Sequence, residues 1–336
     1  ARLQERIGDL DAAAEAYEQA KASASGPGRA DALAAVANFT LRRGKAADAV
    51  AVAKQAVEAG ATPSALAALA RAQLRMEDAP AALATAEKAV AAGSGSAIAH
   101  VAKGEALVAM GKAAEAEAAL RQALQIDPKS ALAYSRLARA QLALARPADA
   151  VASARKATEL DDKFGEGFAM LGMAMVAQDP KTWSDAIAHA QQGAFLDPDN
   201  PHVQSAVGRV FEANGQLAQA ANSYRRALTV DPAYGPARFA PIKAELDRGN
   251  RDAAIAEARK LAAGGMSSAD IERLIGEDAV RRQDYSGAIP FLEKATKGLP
   301  GNPDGWALLG RSYHAARRYD EAAEAYGKAV ELAPQN

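Results

Sequence analysis

The sequence predicts an all-α solenoid of stacked antiparallel helix pairs, and three observations predict it. Alanine returns at one position about every 34 residues, as Ala13, Ala49, Ala82, Ala116, Ala150, Ala186, Ala220, Ala254, Ala288 and Ala322. Seven residues further on, a second position holds Ala20, Ala56, Ala89, Ala123, Ala157, Gly193, Ala227, Leu261, Ala295 and Ala329. A third position closes the unit with Pro128, Asp162, Pro198, Pro232, Met266, Pro300 and Pro334. Small residues held at a fixed period let two helices pack closely, and a proline just past a helix stops it. Units of this kind touch only their neighbours and together present a long curved surface.

The period divides the chain into ten units of one solenoid spanning 1–336: 1–29, 30–62, 63–96, 97–130, 131–164, 165–200, 201–234, 235–268, 269–302 and 303–336. The first is truncated, because Ala1 to Gly8 read as the second half of a first helix. The next four are regular, with Ala37, Ala70, Gly104 and Ala138 as the small residue of the first helix. Unit 165–200 keeps Gly172 but carries two extra residues around Gln178–Thr182, so its internal turn is longer. Unit 201–234 has Gly208. Unit 235–268 departs most: Ile242 replaces the small residue, Gly264-Gly265 forms a turn, and Pro241 sits inside the first helix. Proline there removes a hydrogen bond and clashes with the preceding turn, which predicts a short or kinked helix. Unit 269–302 has Gly276. The last unit is the clearest: Pro303 opens a helix, and Trp306, Leu309, Gly310 and Tyr313 form its apolar stripe. Ala322, Tyr326, Ala329, Val330 and Leu332 form the second stripe, which Pro334 ends. The chain opens in mid-helix register and closes without a polar cap, so it reads as a piece of something longer.

The series Trp306, Leu309, Gly310, Tyr313, Ala322, Tyr326, Ala329 and Pro334 resembles the tetratricopeptide repeat (TPR), and the resemblance covers the whole chain. It implies a right-handed superhelix whose first helices line a concave groove. The ninth position of each unit then faces that groove and reads Asn38, Arg71, Glu105, Arg139, Met173, Arg209, Lys243, Glu277 and Arg311. Arg42, Arg75, Arg136, Arg273 and Arg281 add to it, against Glu212 and Asp247. The mid-groove is expected to be net basic, with Asp31, Glu166, Asp270 and Asp304 offsetting charge at its edge near helix N-termini. Val101, Val108, Leu142, Met170, Met173 and Val176 are expected to form an apolar patch beside it. Arg71, Arg136, Arg139, Met170, Met173, Arg209, Lys243 and Arg311 are therefore the candidate partner-binding residues. Two family binding modes fit poorly. A carboxylate clamp starting at unit 30–62 would use Ala34, Asn38, Ala68, Ile98 and Ala102, with Asn38 the one match. The asparagine ladder of the O-GlcNAc transferase superhelix would need asparagine where Ala35, Ala68, Ala102 and Arg136 stand.

Composition narrows the function classes. Lysine plus arginine number 40 against 41 acidic residues, so no global field draws in nucleic acid or membrane. The absence of cysteine removes disulfides, thiolate metal sites and a cysteine nucleophile. His100, His189, His202 and His314 lie in different units with no zinc spacing, and read as surface or packing residues. Glu115 and Glu117 read as solvated. Asn38-Phe39-Thr40 matches a glycosylation sequon but falls within a helix. No signal-peptide pattern and no apolar run of the roughly 20 residues a membrane span needs is present. The expectation is a non-enzymatic, cofactor-free protein-interaction scaffold, of bacterial character by its alanine content and compatible with cytoplasm or periplasm. Its partner is a protein or peptide, acidic around an apolar anchor, and not nucleic acid. The alternatives are a TPR targeting or regulatory domain from a larger enzyme or an envelope or exopolysaccharide export protein, and end-to-end self-association.

Overall fold

A computed structural model describes residues 10–23, 25, 28–232, 234–264 and 267–333. Met266, Gly265, Pro334 and the opening Ala1–Gly8 segment lie outside them. All regular structure among the described residues is helical, and successive helices pack as pairs. The chain divides into two compact units, 1–234 and 235–336.

The first unit runs α1 (Leu10–Ser23), α2 (Gly28–Arg42), α3 (Ala46–Ala59), α4 (Pro63–Arg75), α5 (Ala79–Ala92), α6 (Ala97–Ala109), α7 (Ala113–Ile126), α8 (Ala131–Ala143), α9 (Pro147–Leu160), α10 (Gly165–Gln178), α11 (Trp183–Leu196), α12 (Pro201–Ala213) and α13 (Leu217–Val230). The second runs α14 (Gly235–Arg238), α15 (Ala240–Asp247), α16 (Arg251–Ala263), α17 (Ala269–Arg281), α18 (Tyr285–Gly298), α19 (Pro303–Ala315) and α20 (Tyr319–Leu332).

The helices start where their caps say they should. Thr62, Asp78, Ser130 and Asn200 each accept a backbone N–H of the first turn through the side chain, satisfying a donor the helix leaves open. Pro63 and Pro201 occupy the first turn, where a missing N–H costs nothing. The recurring alanines are the contact points between paired helices: Ala49, Ala82, Ala116, Ala150, Ala186, Ala254 and Ala288 have no exposed surface. At Gly172 the helices come closer still. A Cβ there would overlap the Ala186 carbonyl, so only glycine fits.

Most internal turns pass through one left-handed residue: Gly44, Glu77, Gly111, Ala145, Gly215, Gly249, Gln283 and Arg317 all have φ between 55° and 78°. The two extra residues of unit 165–200 replace that turn by a 3₁₀ turn, Pro180–Thr182, capped by Asp179. In unit 235–268 the first helix is broken between α14 and α15 at Phe239, two residues before Pro241. Proline has no N–H to give the carbonyl one turn back, and regular bonding resumes with Lys243 N–H to Phe239 C=O at 2.9 Å.

Within the first unit the stack curls back on itself. The turn after α2 meets the loops on either side of α12 and α13: Arg43 pairs with Asp199 at 3.5 Å, and Gly44 lies against the Val230 carbonyl. Residues 156 positions apart are thereby brought together, and the concave faces of α4, α6, α8, α10 and α12 enclose a common polar interior.

Candidate functional site

A chain of alternating charges crosses that interior. Arg71 on α4 donates to Glu105 on α6 at 2.8 Å, and the other oxygen of Glu105 pairs with Arg136 on α8. Arg136 then reaches Glu166 on α10 at 2.6 Å, and Glu166 accepts from the Asn200 amide at 3.0 Å. The three ion-paired links each join one repeat to the next. Glu105 and Glu166 keep only 11% of their side-chain surface exposed. Burial alone would raise the Glu105 carboxyl, but the guanidiniums of Arg71 and Arg136 outweigh it and hold the group down at about 2. Glu166 is likewise held far below the carboxylate range, against its burial, by Arg136 and the Asn200 amide.

A second cluster adjoins the first. Arg75, one helical turn beyond Arg71, pairs with the fully buried Asp231 and lies over the Tyr234 ring at 5.0 Å. Its Nη1 is 3.1 Å from His202 Nε2, and His202 Nδ1 is 2.8 Å from the Tyr234 hydroxyl. Arginine only donates, so Nε2 accepts and Nδ1 carries the proton. Burial and the neighbouring Arg75 push His202 well below the usual histidine range, so the ring is neutral near pH 7. Nδ1–H therefore donates to the Tyr234 oxygen, and the hydroxyl hydrogen is left to point elsewhere. Burial raises Tyr234, while Arg139, Arg75 and Arg209 act on it in the opposite sense.

The candidate residues of the sequence separate into distinct classes. Arg71 and Arg136 lie in the interior but are neutralised by Glu105 and Glu166, so they tie repeats together. Arg139 on α8 is largely buried, and neither it nor the exposed Arg209 on α12 makes an ion pair or hydrogen bond among the described residues. Burial lowers the Arg139 guanidinium, as do Arg136 and Arg209 beside it. Met170 and Met173 are half-buried and pack into the core between repeats, Met170 near Ala138 and Leu171, Met173 near Val203 and Val207. Lys243 and Arg311 belong to the second unit and are exposed, Arg311 donating to the Tyr285 hydroxyl at 3.3 Å.

Three expectations need correction. Val101 and Val176 are core residues, 1% and 7% exposed, because their stripe faces the adjacent helices. Glu117 is not solvated: it is buried and bridges Arg121 and Arg146 at 2.8 Å each. Glu166 does not stay at the groove edge but turns inward to Arg136. The sequence reading also missed His202, Asn200 and Tyr234. Arg75 and Asp231, 156 residues apart, carry no local signal of pairing. Asn200 as a helix cap and Glu166 34 residues before it did carry a legible spacing, matching that of Arg71 and Glu105.

Tetratricopeptide-repeat profiles match residues 67–131 and 273–336, residues 107–172, and residues 202–234. The chain belongs to the tetratricopeptide repeat family. No curated protein matches the sequence closely. Among solved structures, a human IFIT1 dimer with PPP-AAAA is similar over 98% of this chain and 95% of its own, at 14% identity and a TM-score of 0.56. A human IFIT1 dimer with m7Gppp-AAAA is similar over the same shares, at 12% identity and a TM-score of 0.57. A thermophilic TPR protein of Thermus thermophilus covers 66% of this chain with all of its own length, at 19% identity and a TM-score of 0.46. The TPR chain described here is a helical repeat scaffold, and no catalytic family is among these matches.

Proposed function

We propose that this protein is a non-enzymatic scaffold that binds an acidic protein segment on the concave face of its first unit, at Arg139 and Arg209. One observation carries the reading: of the arginines on that face, Arg71, Arg75 and Arg136 are matched to carboxylates, whereas the largely buried Arg139 and the exposed Arg209 make no ion pair among the described residues. A largely buried cation without a partner costs free energy that an incoming anion returns. The matched pairs make the surrounding helices rigid, so little ordering accompanies binding. Arginine forks suit carboxylates in particular. Met170 and Met173, partly exposed beside this face, supply the apolar contact.

The test is fluorescence anisotropy with a labelled, aspartate- and glutamate-rich twelve-residue peptide. Binding is expected for wild type and weakened at least tenfold in an Arg139→Gln, Arg209→Gln double variant. Equal affinity for the two proteins would overturn the reading. A second reading follows from the full-length likeness to human IFIT1 structures that contain PPP-AAAA: the same cations would take RNA. At 14% identity that likeness speaks for the fold alone, and tighter binding of a labelled oligoadenylate than of the acidic peptide is the result that would favour it.

A further inference from the structure

We infer that Arg139, Arg209 and the Tyr234 hydroxyl together form a site for one doubly charged oxyanion, the phosphate group of a phosphorylated side chain on a protein segment. This rests on the concave face of the first unit being the binding surface, and it names the group that face selects.

Three donors face one interior: Arg139 and Arg209 each act electrostatically on Tyr234 and on one another. Arg139 projects from α8 and Arg209 from α12, both at the ninth position of their repeats. Tyr234 closes the same interior, with its ring fixed between Arg75 at 5.0 Å and His202 at 5.0 Å, the latter edge-on. The hydroxyl already accepts the His202 Nδ1 proton, so its own hydrogen is free to donate. His202 is in turn held by Arg75, and Arg75 by Asp231, so the donor is oriented by a chain of buried contacts. Buried Arg75 Nε and Arg71 Nη2 also lack hydrogen-bond partners, which adds unspent donor capacity along α4.

Charge decides between anions. Glu105 and Glu166 are consumed by Arg71 and Arg136, and Asp231 by Arg75. Glu212, one turn along α12 from Arg209, accepts from the Tyr224 hydroxyl at 2.8 Å. Among the described residues, Arg139 and Arg209 are left without an ion pair. A carboxylate answers one of them; a phosphate dianion answers both and offers three oxygens to three donors. The focus is a point rather than a track. The neighbouring arginines are neutralised and so cannot follow a nucleic-acid backbone, and among the described residues no row of aromatics offers bases a stacking platform there.

The experiment is calorimetric titration of the full chain with inorganic phosphate at about pH 7.5, where the dianion predominates, beside acetate, a phosphoserine dodecapeptide, its unphosphorylated form and a 5′-phosphorylated oligoadenylate. Phosphate is expected to bind at least tenfold more tightly than acetate. The phosphopeptide should exceed its unphosphorylated form by a similar factor. Arg139→Gln and Arg209→Gln should each weaken phosphate at least tenfold, and Tyr234→Phe several-fold, with Arg311→Gln in the second unit unchanged. If Arg139→Gln does not fold, Arg209→Gln and Tyr234→Phe carry the test. Equal binding of acetate and phosphate would overturn the dianion assignment while leaving the acidic-segment reading standing. Absence of phosphate binding, or binding indifferent to all three substitutions, would overturn the site. Oligoadenylate binding more tightly than the phosphopeptide would overturn the protein-borne source. Should the acidic peptide also bind the Arg139→Gln, Arg209→Gln double variant as well as wild type, the underlying surface fails with it.

Discussion

Glu105 and Glu277 occupy the same position of their respective repeats, one in each compact unit, and their surroundings differ. Glu105 is shared between Arg71 of the repeat before and Arg136 of the repeat after. Glu277 pairs with Arg273 one turn earlier on its own helix, with Arg251 more distant at 3.9 Å, and keeps 24% of its side chain exposed. Most ion pairs of the second unit are local in the same way, including Arg318–Glu321 and Lys328–Glu331. Others reach further: Arg282 pairs with Asp252 and Lys294 with Glu272, and the fully buried Asp278 draws in Arg259 as well as Arg281 and Arg282 just beyond it in sequence. Position within a repeat therefore does not make a residue part of an interior. In the first unit the curl that brings Arg43 to Asp199 and Arg75 to Asp231 encloses the charges, and enclosure turns surface pairs into a network.

Breaking that contrast should begin with its centre. Glu105→Gln leaves Arg71 and Arg136 short of a counter-charge in a water-poor site, and should destabilise the first unit by about 3–5 kcal/mol. Glu277→Gln should cost under about 1 kcal/mol, as exposed pairs do. Urea melts of the two variants would check this, and similar shifts would show that enclosure contributes nothing.

Gly44 tests the closure itself. Alanine there must adopt φ near 74° and would overlap the Val230 carbonyl. A loss of about 3 kcal/mol is expected from backbone strain plus overpacking. The same change at Gly111, which has open space around it at φ 75°, should cost only the strain, about 1–2 kcal/mol. Equal losses in thermal melts would mean that the close approach is not energetically significant.

Acid should act on the first unit in two stages. His202 is neutral and held low when folded, whereas the unfolded chain takes up its proton near about pH 6.5. Its stabilisation is complete above that pH and falls by up to about 1.4 kcal/mol per unit as the pH drops below it. Glu105 contributes stability that is complete above about pH 4.5 and is lost as pH falls toward about 2. A pH series of melts should show the first slope vanish in His202→Gln while the second persists; an unchanged first slope would assign it to another group.

The smallest effect concerns the turns. Ala145 adopts φ 55° without glycine's freedom, so Ala145→Gly should stabilise by under about 1 kcal/mol. A measurable loss instead would show that its methyl contributes packing.

The repeat, its boundaries and the helix pairs were legible because alanine packing needs a fixed period and that period survives in the sequence. Caps such as Thr62 and Asn200, and the broken helix at Pro241, follow from backbone chemistry that acts over a few residues. The charged interior was half legible. The periodicity put Arg71, Glu105 and Arg136 on one face, and the structure links them; that Arg71 and Arg136 would be neutralised while Arg139 makes no ion pair among the described residues was not legible. Those outcomes depend on how far each repeat is rotated on the next, a small angle that accumulates over 156 residues before Arg75 meets Asp231. Local periodicity determined which residues share a face; only the summed geometry of the stack decided which of them meet, which are buried together and which are left to find a partner elsewhere.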